Sequence, residues 1–111
     1  MPLFQVIHKP GLRPHRVDEI VDLTKTFGAQ LLRTAEHPLA YSDLRGYRTP
    51  SYDLGDLDAI VVITLEAYPE RVAVRDDLAK ELALRIMGDS VWDPIEVRVQ
   101  LELTAVGWSY I

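Results

Sequence analysis

From Ile95 to Leu103 apolar and polar residues alternate without a break. Ile95, Val97, Val99, Leu101 and Leu103 fall on one face, and Glu96, Arg98, Gln100 and Glu102 on the other. A period of two predicts a strand with one buried face. Ala59 to Leu65 is instead a continuous apolar and β-branched run, which predicts a strand covered on both faces. Residues 2–8, PLFQVIH, are rich in β-formers and stop at the turn residues Lys9-Pro10-Gly11. Residues 40–48 read as a weaker strand, followed by a loop from Thr49 to Asp56 that holds Pro50 and Gly55.

Between the strands the period lengthens. Val17, Ile20, Val21, Thr24, Phe27 and Leu31 form one stripe, predicting a helix that opens near Pro14 and ends before Pro38. Asp18 and Glu19 suit the positive end of its dipole. Val74, Leu78, Leu82 and Ile86 repeat every four residues, widened by Ala79 and Ala83, and predict a second helix. It follows a turn at Tyr68-Pro69-Glu70 and stops at Gly88-Asp89. Thr104 to Ile111 is a tail containing Trp108 and Tyr110. The order β-α-β-β-α-β reads as two similar halves. It predicts one α+β domain over residues 1–111, a four-stranded mixed sheet with two helices on one face. The other face must meet water or another subunit.

Composition narrows the function classes. The 111 residues are 48% hydrophobic, enough for one modest core, with no low-complexity tract. Twelve Lys and Arg against seventeen Asp and Glu give a net charge of −5, which disfavours nucleic acid and anionic lipid as partners. No cysteine is present, so disulfides and thiol chemistry are excluded. The start, MPLFQVIHKPGL, has no basic region followed by a long apolar one, so it does not read as a secretory signal. The longest apolar run is too short to span a bilayer. A cytoplasmic protein is the default expectation.

His8, His15 and His37 form no HxxxH or HxxE pattern, so no metal site is expected. The six glycines form neither GxGxxG nor a GK[ST] loop, so no nucleotide cofactor is expected. None of Ser42, Ser51, Ser90 and Ser109 sits in GxSxG. What remains is Pro2. Removal of Met1 would expose its secondary amine. An α-amino group titrates near pH ~8, and burial or neighbouring cations lower that into the range of a general base. The plainer reading is that Pro2 merely opens an edge strand. Arg71 and Arg75 flank the start of the second helix, where an arginine fork can take a carboxylate. They can equally form a solvated face, Arg75 pairing with Asp76 or Glu70. Trp108 can wall an apolar pocket, or seal the core or a subunit contact.

Together these features resemble the tautomerase superfamily, whose subunits share the β-α-β-β-α-β order. Pro2-Leu3, with Gly11 nine residues on, is similar to the start of its malonate semialdehyde decarboxylases. His37-Pro38-Leu39-Ala40-Tyr41 resembles the Lys-Pro-x-x-Tyr segment of macrophage migration inhibitory factor. Val106-Gly107-Trp108 resembles that protein's Val-Gly-Trp, and Trp108-Ser109-Tyr110 a Trp-Ser-aromatic piece of the decarboxylases. The resemblance implies a homotrimer whose sheets line the centre, and an isomerase or lyase acting on a small carboxylate without a cofactor. Pro2 would be the acid–base group, Arg71 or Arg75 would hold the carboxylate, and His37, Tyr41 and Trp108 would line the pocket. The chain departs from the pattern where the decarboxylases have Arg-Pro-Arg and this sequence has Tyr68-Pro69-Glu70-Arg71. It also has His37 where the inhibitory factor has lysine. The contrasting expectation is a non-catalytic, ferredoxin-like binding module that docks by its open sheet face.

Overall fold

A computed structural model describes residues 2–88 and 94–104 of the chain. Four strands form one mixed sheet: β1 (Leu3–His8), β2 (Arg45–Pro50), β3 (Ala59–Glu66) and β4 (Val97–Thr104), in the order β2-β1-β3-β4. The two central strands, β1 and β3, are antiparallel, with Leu3 opposite Thr64 and Val6 opposite Val61. Each outer strand is parallel to its inner neighbour, β2 to β1 and β4 to β3. A parallel neighbour needs a crossover, and each half supplies one through a helix.

The first crossover is α1 (Pro14–Leu32). Pro14 fills the first helical position, where its missing amide is no loss. Val17, Ile20, Val21 and Thr24 are buried, and the buried Thr24 hydroxyl is paired by donating to the Ile20 carbonyl at 2.7 Å. The helix stops at Leu32, because Arg33 turns extended, well before the expected limit at Pro38. A turn of 3-10 helix, Tyr41–Asp43, follows; the Asp43 carboxylate accepts from the Ala40 amide at 2.8 Å. That turn takes the place of the start of the strand expected at 40–48, so β2 begins at Arg45 and runs on into the expected loop. Gly46 of β2 lies against the Phe4 ring, where a Cβ would come within 2.5 Å of it.

The second crossover has two pieces, α2 (Pro69–Ala73) and α3 (Arg75–Gly88). The expected turn at Tyr68-Pro69-Glu70 is therefore the start of a helix, with Pro69 again in first position. Val74 leaves helical geometry at φ −124°, ψ 18° and is exposed, so the expected stripe begins at Leu78 and Ala79, which pack half-buried against the core, and is fully buried at Leu82, Ala83 and Ile86.

Both helices cover the same face of the sheet, where Phe4, Val6, Ala59, Val61 and Ile63 have no exposed surface. β3 is not covered on both faces as its composition suggests. Ala59, Val61, Ile63 and Leu65 are buried, while Ile60, Val62, Thr64 and Glu66 are half-buried, because two helices reach only one side. The open face carries rows that cross the strands, among them Tyr47-Gln5-Val62-Gln100 and Thr49-Ile7-Ile60-Arg98. Gln5 Nε2 donates to Thr49 Oγ1 at 2.6 Å on that face. The alternation of β4 holds as expected, with Val97, Val99 and Leu101 buried and Arg98, Gln100 and Glu102 exposed. No helix among the described residues is long and apolar enough to cross a membrane.

The end of the sheet away from Pro2 is tied by Asp58. Its carboxylate pairs with the Lys9 ammonium and accepts from the Glu96 amide at 2.8 Å. Burial pushes the Asp58 carboxyl up, but the Lys9 and Glu96 hydrogen bonds and the Lys9 and Arg16 charges outweigh it, and its pKa lies below the ordinary value. A carboxyl whose pKa falls on folding stabilises the fold above its unfolded value, about pH 4, and loses that contribution as pH falls further. Urea midpoints measured from pH ~6 down to ~2 are expected to fall more steeply for the wild type than for Asp58→Asn; parallel profiles would contradict this assignment.

Candidate functional site

The antiparallel pairing of β1 and β3 decides what surrounds Pro2. The start of β1 lies beside the end of β3, so Pro2 stands at the end of the sheet where β3 runs out through Glu66 into the segment leading to α2. On its other side the Pro2 carbonyl faces the Arg45 amide at 3.5 Å. Pro2 is half-buried. β4 ends at the same level, where the Ala67 amide donates to the Thr104 carbonyl at 2.7 Å.

Arg71 ties α1 to this end. It is only 4% exposed. Its Nε donates to the carbonyl of Leu32, the last residue of α1, at 3.0 Å. Its Nη1 donates to the Glu66 carbonyl at 3.2 Å and lies 3.3 Å from the Glu66 carboxylate. A buried guanidinium needs such partners, and the carbonyl end of a helix is a favourable place for a cation. Nη2 has no hydrogen bond among the described residues. The Arg71 guanidinium also lies 5.0 Å from the centre of the Tyr68 ring. His37 stacks on that same ring, with centroids 3.5 Å apart and planes at 5°. His37 is held in place by a tight turn, in which its amide donates to the Thr34 hydroxyl at 3.0 Å. Between the end of α1 and the start of α2 lies an open cleft of about 240 Å3, with an apolar wall of Leu31, Leu32, Val74 and Leu78 and a polar one of Arg33, Thr34, Glu70 and Arg71.

The residues singled out from sequence divide accordingly. His37 and Arg71 come together through Tyr68, at the end of the sheet that carries Pro2. Tyr41 turns away: its hydroxyl donates to Asp22 of α1 at 2.7 Å, and Lys25 Nζ lies 5.4 Å from its ring. The hydrogen bond to Asp22, then burial and the Asp22 charge, raise the Tyr41 hydroxyl above its ordinary pKa, so it is a firm donor at neutral pH. Arg75 is half-exposed, with Asp76 at 3.6 Å, the pairing its position in the sequence allowed. It borders a shallow pocket with Ala79 and Val99 to Leu101 of the outer strand β4. Trp108 lies outside the described residues. Tyr68 and Glu66 were not among the residues expected from sequence. Glu66 is the lone charge closing an apolar strand, and Tyr68 is an aromatic directly before a helix-opening proline; both patterns were visible but read as a strand end and a turn. Among the described residues no group of His, Asp and Glu side chains could hold a metal ion.

No family model and no curated protein sequence matches the chain. Solved structures do match over nearly its whole length. A macrophage migration inhibitory factor-like protein from Entamoeba histolytica is 12% identical, with a TM-score of 0.60 over 99% of this chain and 95% of its own. A malonate semialdehyde decarboxylase inhibited by 3-bromopropiolate is 13% identical, with a TM-score of 0.60 over 98% and 88%. A fused 4-OT, described as an asymmetric trimer, is 12% identical, with a TM-score of 0.64 over 93% and 86%. The chain therefore has the fold of the tautomerase superfamily, to which these structures belong.

The two arginines are expected to differ in stability. Arg71→Ala strands the buried carbonyl of Leu32 at the end of α1 and empties the space its guanidinium fills, and should cost about 2–3 kcal/mol. Arg75→Ala at an exposed ion pair should stay within about 0.5 kcal/mol. Urea denaturation of both variants checks this, and equal losses would contradict the assignment of Arg71 as the tie.

Proposed function

We propose that the chain is a tautomerase-superfamily enzyme in which Pro2, exposed by removal of Met1, moves a proton on a small 2-oxo or unsaturated carboxylic acid. One observation carries this reading. The only residue type able to present an N-terminal secondary amine opens β1 at the end of the sheet where a buried arginine and a stacked His–Tyr pair converge.

With Pro2 neutral, its nitrogen takes a proton from the carbon beside the substrate carbonyl. The electron pair moves onto the carbonyl oxygen, and the proton is then returned to that oxygen, giving the enol; the reverse sequence gives the ketone. This isomerase chemistry needs no cofactor. With Pro2 protonated, the same amine would polarise a carbonyl or protonate carbon, favouring decarboxylation or hydration. Arg71 is the better placed of the two arginines to hold the substrate carboxylate, because it sits at the Pro2 end and its Nη2 is uncommitted among the described residues. Arg75 opens instead onto the outer edge of the sheet. His37 and Tyr68 form an aromatic wall beside Arg71. Tyr41 and Trp108 stay in the proposal as residues lining the pocket, with Tyr41 reaching substrate only if it leaves Asp22.

The half-apolar open face of the sheet supports a homotrimer, as in the fused 4-OT of the same fold. The net charge of −5 supports small-molecule substrates over nucleic acid or anionic membrane, and the start of the sequence, without a signal-like pattern, supports a cytoplasmic setting. Initial rates on phenylpyruvate enol test the reading. Pro2→Ala is expected to lower kcat/KM at least about a hundredfold, with intact mass showing that Met1 is absent from the wild type. Equal rates for the two proteins would overturn proline catalysis, and full retention of Met1 would favour the non-catalytic binding module.

A further inference from the structure

A four-residue motif occurs twice in the chain. Pro14-His15-Arg16-Val17 at the start of α1 returns as Pro69-Glu70-Arg71-Val72 at the start of α2. In both copies the proline takes the first helical position. The residue before it has nearly the same backbone: φ −64°, ψ 145° at Arg13 and φ −65°, ψ 145° at Tyr68. In both copies the arginine is buried, 7% exposed at Arg16 and 4% at Arg71. The same displacement carries Phe4 and Val6 of β1 onto Ala59 and Val61 of β3, all four without exposed surface. Because β1 and β3 pair antiparallel, the two halves are related by an approximate two-fold axis through that pair.

Such an axis gives the surroundings of Pro2 a counterpart at the far end of the sheet. The displacement carries Tyr68 onto Arg13, Arg71 onto Arg16 and Thr64 onto Lys9. It carries Leu3 onto Asp58; at the outer strands, where Phe4 faces Gly46 and Ala59 faces Val97, the shift is four residues shorter and carries Asp43 onto Pro94 and Leu44 onto Ile95. Those six counterparts, Lys9, Arg13, Arg16, Asp58, Pro94 and Ile95, line a single pocket of about 220 Å3. The chemistry differs between the two ends. Three of the six side chains are cations and one is a carboxylate, in a chain whose net charge is −5. Lys9 is paired with Asp58, and Arg16 with Glu19 at 3.3 Å. Arg13 is exposed and has no ion pair among the described residues. The chain runs on through Leu57 and Asp58, so no terminal amine arises there and no proton transfer of the Pro2 kind is available.

We propose that this pocket is a second binding site, for a small oxyanion of the carboxylate or phosphate type, held by Arg13 and Lys9 over the buried Arg16. It binds without catalysing, and it stands or falls independently of the role of Pro2. Inorganic phosphate and, in a parallel arm, malonate are titrated into isotope-labelled full-length protein while amide resonances are followed. Saturable shifts are expected at Gly11, Leu12, Arg13 and Ile95 with at least one of the two anions; which one saturates identifies the class. Arg13→Gln should weaken that binding about tenfold, as the loss of one charge-assisted hydrogen bond does. Lys80→Gln, an equal change of charge on the outside of α3, and Pro2→Ala should leave it unchanged. The absence of saturable shifts with both anions would overturn the proposal, as would equal affinity in wild type and Arg13→Gln. A loss shared equally by Lys80→Gln would reduce it to diffuse electrostatics and overturn it too.

Discussion

The antiparallel pairing of β1 with β3 is the constraint on which the rest depends. A chain of two β-α-β halves can join their sheets in several ways. Pairing the first strand of each half head to tail brings the start of one beside the end of the other. Pro2 is thereby carried to the level of Glu66 and the segment that opens α2. The parallel outer strands then follow from the two helical crossovers, and the crossovers from the amphipathic stripes. Gly46 fits the same frame: only a residue without a side chain lets β2 lie over the Phe4 ring beneath the helices.

Arg71 turns that topology into a defined local structure. A sheet end and a helix end each leave carbonyls without partners. One guanidinium answers both, reaching Leu32 and Glu66 at once. Its burial beside the Tyr68 ring and the stacking of His37 on that ring give this end of the molecule a polar, aromatic character. The opposite end is tied by the Lys9–Asp58 pair instead. The same Pro-x-Arg-Val segment serves both ends, so what separates them is the residues placed around it.

Much of this was legible in the sequence, and the misses have physical causes. The helix over 14–32 and the strands β3 and β4 follow from periodicity, because each buries one continuous face. The start of β2 was misplaced because Tyr41–Asp43 close a 3-10 turn on the Asp43 side chain, a local hydrogen bond that hydrophobic pattern does not report. The break at Val74 was missed because Val74, Leu78, Leu82 and Ile86 keep helical spacing across it. Covering of β3 on both faces was inferred from composition, whereas only one face meets helices. Arg71 and Pro2 were singled out by residue type and position, and both lie at the same end of the sheet. That Tyr41 would turn to Asp22 was not legible, because a side chain's direction depends on a partner nineteen residues away. Tyr68 was concealed by its place in what read as a turn.

Proline catalysis requires a free, reactive amine on Pro2, at the end of the sheet that Arg71 ties. Treatment of the purified protein with 3-bromopropiolate, the inhibitor of the decarboxylase with the same fold, tests this most directly. Intact mass followed by peptide mapping is expected to show one covalent adduct per chain, on the nitrogen of Pro2, and none in Pro2→Ala. A protein that remains unmodified, or takes the label elsewhere with Pro2 intact, would contradict the account.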